Sequence, residues 1–176
     1  TYMMVFKSEL MFFADPVINI DPSAQELAEI ALCTAETARS FDVEPRVAML
    51  SFSNFGSSRH PQADKDRQAT KIVQQRAPDL VVEGEMQADL ALTPSMLEEA
   101  YPFAELKGRA NVLVFPDLSS ANVAYKLTQC LAGAEAVGPI LMGFDKPVHL
   151  MPSNSTVEQI VQLTAVAVVD AQQSSD

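Results

Sequence analysis

The chain has 176 residues, 48% hydrophobic and 20% charged, with a net charge of -11, which is the composition of a folded domain with room for a substantial core. That charge excludes a nucleic-acid backbone as partner, since phosphate binding needs a clustered excess of Lys and Arg, and it disfavours an anionic membrane surface. No apolar run approaches the roughly 20 residues of a membrane span and no signal peptide precedes the first strand-like residues, so a cytoplasmic location is expected.

The opening at Thr1, without Met, reads as a piece of a longer polypeptide. The first residues, "YMMVF" and "LMFFA" around "KSE", form two short β-prone runs with a tight polar link, a hairpin or an interrupted strand. A helix follows, with Asp21 as cap and Pro22 in its first position; Leu27, Ile30, Ala31, Thr34, Ala35 and Ala38 recur at helical spacing up to Phe41. "RVAMLS" is a buried-type strand, "FSNFGSSRHPQ" a polar loop, and 63–76 a helix. "DLVVEG" is the next strand and runs into "EMQADLAL". A short helix spans about 95–100 after Pro94. "ANVLVFPD" is a strand, "SSANVAYKLTQCLAG" a helix closed by Gly133, "VGPILMGF" a strand, and 156–171 the last helix. In the final "QQSSD" the apolar periodicity stops, so no order is expected there.

Strands alternating with helices predict an α/β fold, a mainly parallel sheet with helices on both faces. Ligands of such sheets collect beyond the carboxyl ends of the strands. The segments placed there are "SFSNFGSS", "EGEMQAD", "PDLSSAN" and "GFDKP". The first groups Ser51, Ser53, Asn54, Ser57 and Ser58 around Gly56, so its hydroxyls, amide and backbone N–H groups could cradle a phosphate or carboxylate. An idle, solvated polar connection is the competing reading. It has neither the Walker nor the dinucleotide spacing. Arg59, His60, Lys65 and Arg67 form the densest basic cluster, favouring an anion or simply a solvated helix start. Asn122 and Lys126 share a helix face that could meet a ligand, while Asp117 or Ser119 reads as an ordinary N-cap. Glu83, Glu85 and Asp89 could work as acid and base, but with no His beside them no metal is assigned. Cys33 and Cys130 lie in apolar helical patterns and read as buried thiols rather than disulfide or zinc ligands. His149 reads as structural.

Five segments, "DPSAQELAEIA", "EPRVAMLSFS", "PDLVVEGEMQAD", "GRANVLVFPDLSSANVAYKL" and "LAGAEAVGPILMG", together resemble the carboxyl-terminal half of the phosphate acetyltransferase (phosphate acetyl/butyryl transferase) family, over about 12–172. Within it, "SNFGSS", "EGEMQAD" and "AVAVVDAQ" are similar to the acetyltransferase-like domain behind the malic enzyme core of bacterial NADP-dependent hybrid malic enzymes. The resemblance implies the C-terminal half of the architecture shared with isocitrate and isopropylmalate dehydrogenases. It implies a second α/β subdomain over 1–145, a turn and C-terminal helix over 146–172 that returns to a first subdomain, and a tail over 173–176.

The departures from the family pattern matter for chemistry. Where active members carry a Ser-Arg pair and, one helical turn on, an Asp, this chain has Pro152, Ser153 and Gln159; a further family Arg is replaced by Cys130. Thiol attack on acetyl phosphate needs a base and phosphate-binding cations, so no catalytic residue is assigned. The resemblance therefore implies a regulatory and oligomerising domain that senses acetyl-CoA or a related acyl-CoA without acetyl transfer. Its ligand-binding residues would be Ser51, Ser53, Asn54, Gly56, Ser57, Ser58, Asn122 and Lys126. NADP and Mg or Mn would belong to a malic enzyme core of the same polypeptide, converting malate to pyruvate and CO2, and the assembly would be at least a dimer. Two alternatives stay open. One is an active phosphate acetyltransferase using Arg109 or Lys126 with an acid of "EGEMQAD"; the other is a structural module with Phe52, Phe55 and Met142 at subunit contacts.

Overall fold

The structure, a computed structural model, describes residues 1–144, 146–153 and 155–173; the last three residues of "QQSSD" lie outside them. Strands β1 (Tyr2–Val5) and β2 (Leu10–Ala14) pair as an antiparallel hairpin. β2 then lies parallel to β5 (Val112–Val114), which is parallel to β3 (Arg46–Leu50), itself parallel to β4 (Val81–Met86). β6 (Glu135–Val137) completes the order β4-β3-β5-β2-β1-β6 by running antiparallel to β1. Among the described strands β1 alone is reversed, so the mainly parallel sheet is observed.

Alternating side chains build two cores from one sheet. Phe12, Ala14, Val47, Met49, Val112 and Val114 point to helices α1 (Ala24–Ser40) and α2 (Pro61–Arg76). Phe13, Ala48, Leu50 and Leu113 point the other way. There they meet α3 (Ala88–Leu92), α4 (Pro94–Ala100) and α5 (Leu118–Ala132). Both faces are thus apolar, as a parallel sheet requires. Each fully buried large side chain, Phe12 or Met49 for example, contributes about 2 kcal/mol. The last helix, α6 (Val157–Gln173), seats Leu163 and Val166 on Val137 and Ile140, with Met3, Val5 and Phe41 beside them. Of its other apolar residues, Val157, Ile160, Val161 and Val168 are exposed, while Val169 is half-buried.

Several boundaries differ from the sequence expectation for identifiable reasons. α1 is capped by Ser23 and not by Asp21: Ser23 Oγ accepts from the Glu26 N–H at 3.3 Å, and the Glu26 carboxylate accepts from the Ser23 N–H at 2.7 Å. This reciprocal capping box satisfies two otherwise orphaned donors, whereas Asp21 reaches away to Lys65. α2 begins at Pro61, with His60 Nδ1 accepting from the Gln62 N–H. β4 continues through Met86, and α3 follows where no helix was expected. "VGPILMGF" is not one strand. β6 ends at Val137 before Gly138 and Pro139, since Pro has no N–H for a ladder, and Ile140 makes only a single antiparallel bridge, to His149. Asp117 caps α5 and Gly133 closes it in the left-handed region, both as expected.

The capping box makes a direct prediction. Ser23→Ala lowers stability by about 1 kcal/mol, while Asp21→Ala, which removes only an exposed ion pair, leaves it essentially unchanged. Urea unfolding of the two variants distinguishes the caps.

Candidate functional site

The carboxyl ends of β2, β3, β4 and β5 emerge on one rim, and the loops above them are tied together by a single buried carboxylate. Glu85, in β4, is 0% exposed. Its Oε1 accepts from Ser53 Oγ at 2.8 Å, from the Gly56 N–H at 2.8 Å and from Arg67 Nη2 at 3.0 Å; Oε2 accepts from Arg67 Nε at 2.9 Å. Arg67 also donates to Asp64 at 2.8 Å. Burial alone would raise the Glu85 carboxyl, but the Arg67 guanidinium, the Gly56 N–H and the Ser53 hydroxyl outweigh it and hold the group below its usual range.

Two glycines make this arrangement possible. Gly84 has φ +152, and a Cβ there would lie 2.7 Å from both Met49 Cβ and Met49 O, so no other residue fits between β3 and β4. Gly56, at φ +88, follows Phe55 at φ +47. With the Ser57 N–H donating to Asn54 O, the pair forms a turn of the kind with two positive-φ central residues.

The loop's donors and acceptors therefore close largely on the chain's own groups. Ser58 N–H donates to Ser53 Oγ, Asn54 N–H to Ser57 Oγ, and the Asn54 amide exchanges hydrogen bonds with Gln87. Among the grouped residues, Ser51 differs: its hydroxyl is buried without a hydrogen-bond partner. The basic cluster read from sequence is likewise distributed among internal partners. His60 caps α2, Lys65 binds Asp21 and Pro116 O, and Arg67 binds Glu85. Arg59 is exposed.

Glu83 and Glu85 do not share a site. Glu83 accepts from the Glu105 N–H at 2.8 Å, and burial raises its carboxyl; Asp89 accepts from the next residue's own N–H. Arg109 precedes β5, at the opposite rim, and pairs with Glu9 at 2.6 Å, so it cannot reach Glu85. Asn122 donates to Pro16 O at 3.2 Å. Lys126 is exposed over the Tyr125 ring. Of the three hydrophobics considered for subunit contacts, Phe52 is exposed, whereas Phe55 packs on Tyr101 and Phe103 and Met142 is half-buried beside Thr34. Cys130 is exposed, not buried, and Cys33 is half-buried.

Two adjoining cavities open at the carboxyl ends of β2 and β6. One, of about 290 Å³, lies between Asp15, Ile18, Asn19, Ile30 and the 140–144 segment. The other, of about 320 Å³, lies between α1, residues 140–144, Lys146, Pro147 and α6. Cys33 and residues 140–144 line both. Asp15 shapes the first by accepting from the N–H groups of Val17, Ile18 and Asn19. Among the described lining residues Lys146 is the cation, set against Asp15, Glu29, Glu36 and Asp170. His149 is buried with Nε2 3.1 Å from Asp170 Oδ2, tying the 146–150 segment to α6. At the start of α6, Gln159 Oε1 accepts from the Thr156 N–H at 2.9 Å and Thr156 Oγ1 accepts from the Gln159 N–H at 3.3 Å. Gln159 is a capping residue, and Ser153 is exposed.

Residues 1–168 match the family described as phosphate acetyl/butaryl transferase. The chain belongs to that family. Its relatives carry two kinds of name. It is 48% identical over 162 residues to the NADP-dependent malic enzyme of Escherichia coli (strain K12), covering 92% of this chain and 21% of that protein. It is 45% identical over 170 residues to the phosphate acetyltransferase of Bacillus subtilis (strain 168), covering 97% of this chain and 53% of that protein. A crystal structure of a phosphotransacetylase from Streptococcus pyogenes superposes with a TM-score of 0.91 at 47% identity, over 98% of this chain and 52% of that one. The chain thus spans about half, or less, of the length of these relatives.

Sequence reasoning found the rim segments but missed Arg67 as the partner of Glu85. The signal available was its position one helical turn after Asp64, facing the sheet, in an otherwise polar helix. Removing the guanidinium while leaving the carboxylate buried is costly. Arg67→Met is expected to lose about 3 kcal/mol at pH 7. The Glu85 contribution is present above the ordinary carboxylate range and lost as pH falls through its depressed value, so the deficit shrinks at pH 3. Urea unfolding at both pH values checks the sign, and Glu85→Gln added to Arg67→Met recovers part of the loss.

Proposed function

We propose that this chain is the regulatory and oligomerising acetyltransferase-like domain of an NADP-dependent malic enzyme, binding acetyl-CoA or a related acyl-CoA without transferring the acyl group. The observation that carries the reading is the chemistry of Gln159. At the place where the family pattern expects an acid, this side chain is neutral and engaged in capping α6. An amide cannot take a thiol proton at neutral pH, so the general-base step has no group to perform it there. The companion positions hold Pro152, Ser153 and Cys130, none of which offers a guanidinium fork to phosphate.

Binding asks less of the site than transfer does. The cavity between Ile18, Ile30 and residues 140–144 offers mainly apolar walls for an acyl or thioester group. Asn122 steadies the Asp15 turn through Pro16, and Lys126, one turn along α5 and exposed over the Tyr125 ring, would supply a cation to the ligand. Ser57, Asn54 and the other rim residues of 51–58 would meet the more polar parts of the ligand. Bound acyl-CoA would then favour one arrangement of the domain and shift the malic enzyme core, which lies outside these 176 residues with its NADP and divalent metal. Oligomerisation has a candidate surface in the exposed stripe Val123, Leu127 and Leu131 on α5.

The relatives named phosphate acetyltransferase support the alternative of an active transferase to the same degree, and activity separates the two readings. The regulatory reading expects heat on titrating acetyl-CoA into the protein, together with phosphate-dependent CoA release at least about ten-thousandfold below an active transferase. Robust turnover with acetyl-CoA and phosphate overturns it. In the full-length polypeptide, malate oxidation falls when acetyl-CoA is added. For the interface, Leu127→Asp with Leu131→Asp lowers the mass measured by light scattering if the α5 stripe joins subunits.

A further inference from the structure

At the amino ends of β2, β3 and β5, on the rim away from the site described above, a cavity of about 500 Å³ opens between the β1–β2 turn, Val43, Arg46 and residues 109–111. It is larger than either cavity at the carboxyl rim. Three cations line it, Lys7, Arg46 and Arg109, against one carboxylate, Glu9. In a chain with 23 acidic and 12 basic residues, carboxylates are abundant as neighbours for any Arg or Lys, so a local surplus of two positive charges runs against the composition.

The segments that carry these cations are fixed to one another. The Arg46 N–H donates to Asn111 Oδ1 at 2.7 Å, and the Asn111 N–H donates to Arg46 O at 3.0 Å. Asn111 is 8% exposed; its Nδ2 donates to Glu44 O at 2.9 Å and its carbonyl accepts from the Phe12 N–H at 2.8 Å. The Phe6 N–H closes the hairpin turn on Glu9 O at 2.9 Å. The Arg46 side chain is half-buried and held through Nε, which donates to Arg109 O at 2.7 Å. Among the described residues nothing accepts from its two Nη groups or from Lys7 Nζ. Arg109 engages Glu9 through Nη1 at 2.6 Å, which leaves its Nε and Nη2 open. A positioned guanidinium with open donors is the group best suited to an oxyanion.

We propose that this cavity binds a small phosphorylated metabolite, held by its phosphate. At neutral pH a phosphomonoester carries close to two negative charges on three acceptor oxygens, which balances the surplus and matches donors supplied by three segments. The cavity is far larger than one phosphate group, and Phe6, Leu10 and Val43 offer an apolar wall to the remainder of the molecule. Glu9 is the chain's own competitor for Arg109, so the incoming phosphate displaces it. The site lies at the other rim from the acyl-CoA cavity and does not rest on that reading.

Titration of phenyl phosphate into the nitrogen-15-labelled 176-residue chain at about pH 7.5, where the probe is a dianion, tests the site. Saturable shifts are expected in the amides of 7–9 and 109–111 and in the Arg46 Nε–H. Arg46→Gln weakens binding at least about tenfold, through the loss of charge-assisted hydrogen bonds. Lys7→Gln, which removes an exposed and unpaired group, weakens it about threefold, and Glu9→Gln, which frees Arg109, tightens it about threefold. The last two variants decide the matter whether or not Arg46→Gln folds. No saturable shift at millimolar probe, shifts confined to 51–58 or 140–144, or an affinity unmoved by Lys7→Gln or by Glu9→Gln overturns the site. Succinate at equal ionic strength checks the ligand class: weaker binding than phenyl phosphate supports a phosphate site, and equally tight binding overturns it.

Discussion

A carboxylate removed entirely from water costs several kcal/mol unless its partners replace the lost hydration. Glu85 meets that condition with one guanidinium, one hydroxyl and one backbone N–H. Because these come from α2, the 51–58 loop and β4, satisfying the charge fixes three elements relative to one another. Breaking any part would leave an uncompensated buried charge, a heavier penalty than the loss of one contact. The loop is thereby held at the strand ends without a bound ligand to order it. That rigidity also makes its polar groups less available to an outside anion than their composition suggests.

The same rim separates what a fold requires from what acyl-transfer chemistry would require. The sheet order, the two apolar faces and the superposition on a phosphotransacetylase are those of the family. The groups beyond the strands follow local demands instead: Gln159 caps a helix, Arg67 neutralises Glu85, and Asp15 orders a turn. Fold depends on side-chain volume and alternation over many positions, whereas acyl transfer depends on a few charges held within tenths of an ångström. Sequences can therefore diverge in the second respect and remain alike in the first.

Charge placement separates the two rims. At the amino ends of the strands Arg109 pairs with Glu9, while at the carboxyl ends Arg67 neutralises the buried Glu85 and Lys65 pairs with Asp21.

The sequence by itself determined the alternation of strands and helices, the hairpin, the parallel sheet, the Asp117 and Gly133 caps and the family. All of these rest on local periodicity, on residues a few positions apart or on extended motif identity. Even the Ser23 capping box was legible, in the spacing of Ser23 and Glu26, although Asp21 and Pro22 offered a competing start. Tertiary structure alone decided that Arg67 meets Glu85, that Arg109 lies at the far rim, and that the strand expected at 137–144 stops at Val137. Those outcomes depend on which distant groups compete for the same buried charge or ladder position. The cost of leaving a polar group unpaired is settled by the space around it, and no local spacing in the chain encodes that space.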